Sequence, residues 1–542
     1  MKKKLLPALI VTGLIILVVI IMGITALINK YTPTKKTEDL KEYFNISSDD
    51  EAALIVDNEL SDYKAKIIDK KIYVDYKFVH DSLNSRFYWD ANENVLLYTT
   101  ASDIISAAAD SNSYSVTKQT NDFGYPIVKA TSDSALIALD YVKQYSNITF
   151  KSYDDPARIV ITSKWDEIDS ATVSKSTQVR VKGGIKSPIL KEVKKDDKIT
   201  ILDSGDKWDK IATEDGVIGY IKGKALSESK KTKLTNPDYE EETFTHIKKD
   251  KDICLAWNQV TSQSANSKVP QVISSTKGIN VMSPTWFYLN DNNGNLADIA
   301  SKDYVSYCHS QGIEVWGLFS NFENTDVDAA YVLTHTSTRT TLINQIMSAA
   351  FNYELDGVNI DFENITEAAY GDSYIEFIRE LAIKCHNNGI SLSVDVTVPA
   401  SFNKFFNRSD MANFADYIVI MGYDEHYKGS DAGSVSSIPW VTEGVESTLK
   451  EVPADQIILG MPFYTRIWEL TPKEDDDAVT DTEDQSKYTV ASQVYSMDAA
   501  AAQLATNNAT AALDEESGQN YAEWSVSNLS LIHISEPTRR VV

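Results

Sequence analysis

Between residues 253 and 468, short β-rich runs alternate with helix-length segments, and that alternation leaves few architectures open to the chain. The runs are ICLAWNQV (253–260), INVMSPTWFYL (279–289), IEVWGLFSN (313–321), LDGVNIDFE (355–363), LSVDVTVP (392–399), YIVIMGYDEH (417–426) and IILGMPFYTRIW (457–468). Between them lie segments such as SKDYVSYCHSQG, TTLINQIMSAAFNYE and SYIEFIRELAIKCHNNG. Strands separated by helices must run parallel, each reached through a crossover. Polar groups recur at the C-terminal ends of these strands, where the sites of (β/α)₈ TIM barrels sit, so a barrel fits better than a doubly wound sheet. Seven strands can be read and no eighth, so the barrel is expected to be C-terminally truncated, with its eighth strand missing.

At 542 residues the chain needs several domains. It opens with Lys2, Lys3 and Lys4 and an uncharged run from Leu5 to Ile28, 24 residues long. About 20 suffice to cross a bilayer as a helix. No convincing cleavage site follows, so residues 1–30 read as an uncleaved transmembrane signal anchor. The leading lysines predict a cytoplasmic N-terminus, placing the rest on the extracytoplasmic side of the cell membrane, single-pass. Residues 31–45 form a polar stalk. Within 46–165, residues 73–100 align with 136–163 at an offset of 63, pairing Val79 with Val142, Asn84 with Asn147, Phe87 with Phe150 and Thr99 with Thr162. Each copy predicts a short helix, a strand around the Phe, a polar turn and another strand, an α+β repeat domain. Residues 170–228 hold short strands and close turns with no long helix, which predicts a small all-β domain; Trp208 is expected in its core. A net charge of −26 argues against nucleic acid as a partner. Cys254, Cys308 and Cys385 match no zinc spacing and read as structural free thiols. No metal or cofactor is implied.

The stretch LDGVNIDFENIT (355–366) is the most unusual. On a strand, Val358, Ile360 and Phe362 share one face, and Asn359, Asp361 and Glu363 the other. Facing an amide and two carboxylates into a barrel lumen is expensive unless they have work to do. Alternate residues climb about 7 Å per step, which puts Glu363 uppermost, at the mouth. Tyr423 and Asp424 occupy the same height after IVIMG, and Tyr464 and Arg466 after GMPF. Trp257 and Trp286 lie near other strand ends and could stack on sugar faces. Two nearby carboxyls in a low-dielectric lumen repel, so one tends to keep its proton, as a general acid requires. Asp395, on a buried strand, belongs either to the support of this site or to a core network. His426 reads as an incidental loop histidine, and the acidic run KEDDDAVTDTED (473–484) as a solvated loop.

DGVNIDFE resembles the D-G-x-D-x-D-x-E signature of glycoside hydrolase family 18, with Asp356, Gly357, Asp361 and Glu363 in place. MGYD (421–424) and GMPFYTRIW (460–468) resemble that family's sixth- and seventh-strand segments. The resemblance, over about 245–528, implies a substrate-assisted retaining hydrolase of N-acetylglucosamine-containing glycan. Glu363, Asp361 and Tyr423 would then be catalytic: Glu363 the general acid, Asp361 holding the sugar's acetamido N–H, and Tyr423 its carbonyl. Asn359, Asp356, Asp424, Tyr464, Arg466, Trp257 and Trp286 are expected to bind substrate. Chitinases of the family carry Asp where Asn359 stands. An amide takes up no charge, which predicts surviving activity with a shifted acid limb. The Asn beside DFE looks more like the cell-wall and spore-cortex branch and tilts the substrate from chitin-like glycan toward peptidoglycan. Chitinase-like hydrolysis, or non-catalytic binding of cell-wall glycan, are the alternatives.

Two further resemblances bear on the partners. Residues 170–228, with Val179–Arg180–Val181, Trp208, Gly216, Gly219 and Tyr220, resemble a bacterial SH3-like domain, which implies docking on cell-wall peptide. The repeat block resembles copper amine oxidase N-terminal-like domains, which act as spacers or binding modules and need no copper. Finally, LSLIHISEPTRR (529–540) reads like a translated sequencing adapter, so residues 529–542 are expected to be an artefact, with the native sequence diverging near Asn528. Residues 496–524 are expected in the insertion that family members carry between strands seven and eight.

Overall fold

A computed structural model describes residues 2–363, 365, 370–473, 485–526 and 529–536. Apart from Lys473, the acidic run 473–484 lies outside the described residues. Two compact units emerge, one built from 1–89, 107–115 and 120–241, the other from 90–106, 116–119 and 242–542.

The first unit begins with the helix Lys2–Tyr31, whose stretch Leu9–Tyr31 is long and apolar enough to cross a membrane. The repeat is visible as secondary structure. Helix Tyr76–Ser82 precedes strands Phe87–Asp90 and Val95–Thr99, and helix Leu139–Gln144 precedes strands Thr149–Tyr153 and Arg158–Thr162. Residues 167–233 form a seven-stranded antiparallel sheet. Its apolar side, with Val179, Ile199, Ile211, Val217 and Ile221, packs on Phe44 and Ile55. Trp208, expected inside, is only half-buried and lies under the Lys222 ammonium, 5.7 Å from the ring centroid. The three cysteines are free; Cys308 and Cys385 are buried, and Cys254 is exposed.

The second unit is the strand–helix alternation made solid. Seven parallel strands pair in chain order: β1 (Leu255–Asn258), β2 (Val281–Leu289), β3 (Glu314–Ser320), β4 (Gly357–Asp361), β5 (Ser391–Thr397), β6 (Tyr417–Met421) and β7 (Ile457–Gly460). Helices α1 (Val269–Ser274), α2 (Lys302–Ser310), α3 (Thr336–Tyr353), α4 (Gly371–His386), α5 (Arg408–Phe414) and α6 (Ile438–Thr448) fill the crossovers. Val358, Ile360 and Phe362 point outward into the helical layer, where Phe362 stacks on Phe377 at 5.4 Å. Gly357 is required here, because a Cβ would meet the Trp316 ring at 2.6 Å. Among the described residues no strand pairs with the outer edge of β1 or of β7.

Residues 457–468 were expected as one strand. The chain instead leaves the barrel after Gly460, and Tyr464–Pro472 becomes a strand of a five-stranded antiparallel sheet with Tyr488–Ser496, Ala512–Asp514, Gln519–Val526 and Leu529–Glu536. The bend falls at Pro462, which cannot donate a ladder hydrogen bond. Residues 529–536 thus pair between Tyr464–Pro472 and Gln519–Val526.

The hairpin segment Asp90–Thr99, from the first repeat copy, clusters with the barrel. Asp90 accepts hydrogen bonds from the Thr336 N–H (2.7 Å) and hydroxyl (2.6 Å), capping α3. The Thr99 hydroxyl donates to fully buried Glu376 at 2.8 Å. Glu376 also pairs with Arg379, which reaches Asp410.

Candidate active site

Inside the barrel, β4 presents Asn359 and Asp361 to the lumen, and Glu363 follows at the rim. Asn359 is fully buried and uses its whole hydrogen-bonding capacity. Its Oδ1 accepts from Trp257 Nε1 on β1 (3.0 Å) and Ser283 Oγ on β2 (3.0 Å). Its Nδ2 donates to Ser393 Oγ (3.0 Å) and Asp395 Oδ1 (2.7 Å) on β5. A side chain so enclosed cannot touch a substrate, so Asn359 is a lumen brace rather than the binding residue expected from the sequence.

Above it the chemistry changes. Asp361 and Asp395 each keep one buried carboxylate oxygen with no hydrogen-bond partner among the described residues, Oδ1 and Oδ2 respectively. Burial first, then the charges of Asp395, Glu363 and Glu323, push the Asp361 carboxyl well above the usual range. Burial likewise pushes Asp395 up to about 8, against the hydrogen bond from Asn359 and the nearby N–H of Trp257. Glu363 reaches the solvent-touched rim, where its N–H donates to Asn321 Oδ1 at 3.0 Å. Partial enclosure still raises its carboxyl, and Asp424 and Glu323 add repulsion. Two inward carboxyls were expected to repel; the structure gathers five, Asp361, Asp395, Glu363, Glu323 and Asp424, at one mouth.

The tyrosines stand opposite. Tyr423, after β6, lies edge-on to Trp257 and to Tyr464, with centroids 6.1 Å away in both cases. Burial and the neighbouring carboxyls raise its hydroxyl, so it remains a neutral donor. Asp424, in a left-handed conformation (φ 59°), accepts from Tyr464 Oη (2.7 Å) and Arg466 Nη2 (3.0 Å). The strand that leaves the barrel therefore returns these two side chains to the mouth. Trp257 is seated because position 460 is glycine: a Cβ there would meet its ring at 2.8 Å. A cavity of about 560 Å³ runs beside Leu255, Ala256 and Trp257 of β1 and Ile458 and Leu459 of β7. Tyr423, Tyr464 and Phe463 also line it, with Phe463 84% exposed, and none of the five carboxyls does. A cavity of about 600 Å³ in the other unit, lined by Phe150, Lys151, Ile168 and Lys230, contains none of these groups.

Two expected binding residues lie elsewhere. Trp286 is fully buried among the helices, against Tyr304 at 4.8 Å, with its Nε1 donating to Asn266 at 2.8 Å. β2 is bulged around Thr285–Phe287, which turns that ring outward rather than to the lumen. Asp356 precedes β4, at the opposite end of the barrel, where it accepts from the Val315 N–H and from His309, both at 2.8 Å. Asn321 and Glu323 went unnoticed in the sequence. They follow β3 as SNFEN, a polar run at a strand C-terminus, the same signal that marked Tyr423 and Asp424.

The profile of Glycosyl hydrolases family 18 matches residues 323–528, from the end of β3 onward. An uncharacterized glycosylase of Bacillus subtilis, YvbX, is 25% identical over 33% of this chain and 55% of its own length. The putative sporulation-specific glycosylase YdhD of the same organism is 32% identical over 25% of this chain and 33% of its own length. The spore cortex-lytic enzyme SleL of Bacillus cereus superposes with a TM-score of 0.45 at 18% identity, covering 53% of this chain and 65% of that one. The chain thus spans between a third and just over half of the curated relatives' lengths.

Proposed function

Because residues 323–528 form a glycoside hydrolase family 18 domain, we propose that this chain hydrolyses O-glycosyl bonds in an N-acetylglucosamine-containing glycan, peptidoglycan above chitin. The reading rests chiefly on one observation: Asp361 and the rim acid Glu363 lie two residues apart on the lumen face, both carboxyls raised, opposite the Tyr423 hydroxyl.

Glu363, whose carboxyl holds its proton to higher pH than a free glutamate, gives that proton in its acid form to the glycosidic oxygen as the C1–O bond breaks. The sugar's own acetamido oxygen forms the new bond to C1, giving an oxazolinium ion. Asp361 accepts the acetamido N–H and offsets the positive charge that develops. Tyr423 donates to the acetamido oxygen and orients it for attack. Water then adds to C1 as the oxazolinium C1–O bond breaks and the acetamido group is regenerated, while the Glu363 carboxylate takes the water's proton, restoring the acid and leaving the configuration retained. Tyr464 and Arg466 hold Asp424 in place beside Glu363, and Trp257 and Phe463 supply flat surfaces for sugar rings.

The wall substrate is supported by Asn359 in the signature and by the similarity to YdhD, a putative sporulation-specific glycosylase. The apolar helix Leu9–Tyr31 serves as a membrane anchor, and the sheet at 167–233 as an SH3-like module that docks on wall peptide. The test is release of reducing ends from purified peptidoglycan and from chitin oligomers. Wild type should act on the wall, and Glu363→Gln should lose about 10³-fold in rate while still sedimenting with it. Binding by both proteins with no release by either would make this an envelope glycan-binding protein.

A further inference from the structure

The signature residue at 359 cannot hold a proton, yet the lumen carries one buried carboxyl more than the signature requires. Strands β4 and β5 pair Asn359 with Ser393 and Ile360 with Val394, so the next step sets Asp361 beside Asp395. In-register neighbours on one face of a sheet have Cβ atoms about 5 Å apart, which lets two carboxyl groups there close to hydrogen-bond distance. Asn359 is locked in orientation, since Trp257 and Ser283 donate to its oxygen and its nitrogen must then face β5. It therefore spends a donor on Asp395 Oδ1, leaving Oδ2 free, buried and without partner. Asp361 Oδ1 is in the same condition. Two orphaned carboxylate oxygens on adjacent strands are costly as two anions, and one proton between them satisfies both.

We propose that Asp395 is the positioning acid of this site: it holds a proton that it donates in a hydrogen bond to Asp361 on the neighbouring strand. The inference rests on the glycosidase reading. The pair then carries one negative charge, and Asp361 stays an oriented acceptor for the acetamido N–H. Asp395 never touches the reacting atoms. The groups that face it are Asp361 on β4, Glu363 just after it, Tyr374 from α4, Tyr423 after β6 and Trp257 from β1. Apart from the two Asn359 and Trp257 donors, these are acids or phenols. None supplies a cation, so a proton is the only neutralising charge at hand among the described residues.

The experiment compares pH profiles of kcat and KM for wild type, Asp395→Asn and Asp395→Ala, with carboxyl ¹³C NMR of aspartate-labelled full-length protein. An amide at 395 can accept from Asn359 and donate to Asp361, as the protonated acid does. Asp395→Asn should stay within about tenfold of wild type near pH 6, while its alkaline limb moves upward. Asp395→Ala, which loses the donor, should fall about 10²-fold in kcat with little change in KM. The NMR should show a buried aspartate titrating near pH 8 in wild type and in Glu363→Gln, and lost in Asp395→Asn. An unmoved alkaline limb together with no such resonance overturns the proposal. A wild type that shows the resonance but cleaves no glycan overturns the glycosidase reading and leaves the proton-sharing pair standing.

Discussion

The two ends of the barrel carry the same side chain under opposite conditions. At the lower end, Asp416 is buried but accepts from the Leu392 N–H (2.8 Å), the Ile247 N–H and His386 Nε2 (3.1 Å). Asp356 is held by a backbone N–H and His309, and Glu314 by Lys249 and Trp316. Every one of these carboxylates has donors aimed at it. At the upper end, Asp361 and Asp395 keep orphan oxygens, and their neighbours are other acids. An acid held in place by donors contributes to folding, whereas one held against repulsion opposes it and is retained for chemistry. Burial alone therefore does not tell structural carboxylates from functional ones; the inventory of donors does.

The sharpest way to break this contrast is to neutralise one acid at each end. Asp361→Asn should reduce glycan hydrolysis by about 10³-fold while leaving the melting temperature equal or higher, as paired activity and thermal-melt measurements would register. Asp416→Ala should do the reverse, costing about 3 kcal/mol in denaturant titration because two backbone N–H groups lose their acceptor, with kcat retained at temperatures where the protein stays folded. A smaller effect concerns pH. Asp395 titrates near 8 when folded and near 4 when unfolded, so folding takes up a proton between those values. Its favourable contribution is complete below about pH 4 and is lost as pH rises toward 8. Stability should decline over that window by a few kcal/mol, and Asp395→Asn should flatten the decline. Least of all, Asp356→Asn should cost about 1 kcal/mol, since its pair with His309 is a third exposed, and should leave KM for glycan unchanged. A raised KM would return Asp356 to the substrate site.

Much of this arrangement was legible in residue order. Period-two alternation put Asn359, Asp361 and Glu363 on one face, and strand–helix alternation set the parallel sheet in chain order, because both follow from local geometry. The rest depended on partners distant in sequence. Trp286 sits at the correct height on β2, but a bulge turns it outward, and no local signal marks a bulge there. Asp356 precedes its strand and so belongs to the lower end, a distinction of three residues that the signature alone hides. Asp395 was ambiguous because its role depends on which atoms of Asn359 face β5, and Trp257 and Ser283 decide that from two other strands.

One last feature redraws a boundary. Asp90 caps α3, and Thr99 reaches the buried charge cluster around Glu376, although both lie more than a hundred residues before β1. A fragment cut at the apparent domain border, near residue 245, would leave a helix N-terminus without its acceptor and would take from buried Glu376 the Thr99 donor, leaving it Arg379 alone. The gene's modular punctuation and the molecule's compact unit do not coincide, so shuffling or trimming this barrel would have to carry an upstream hairpin with it.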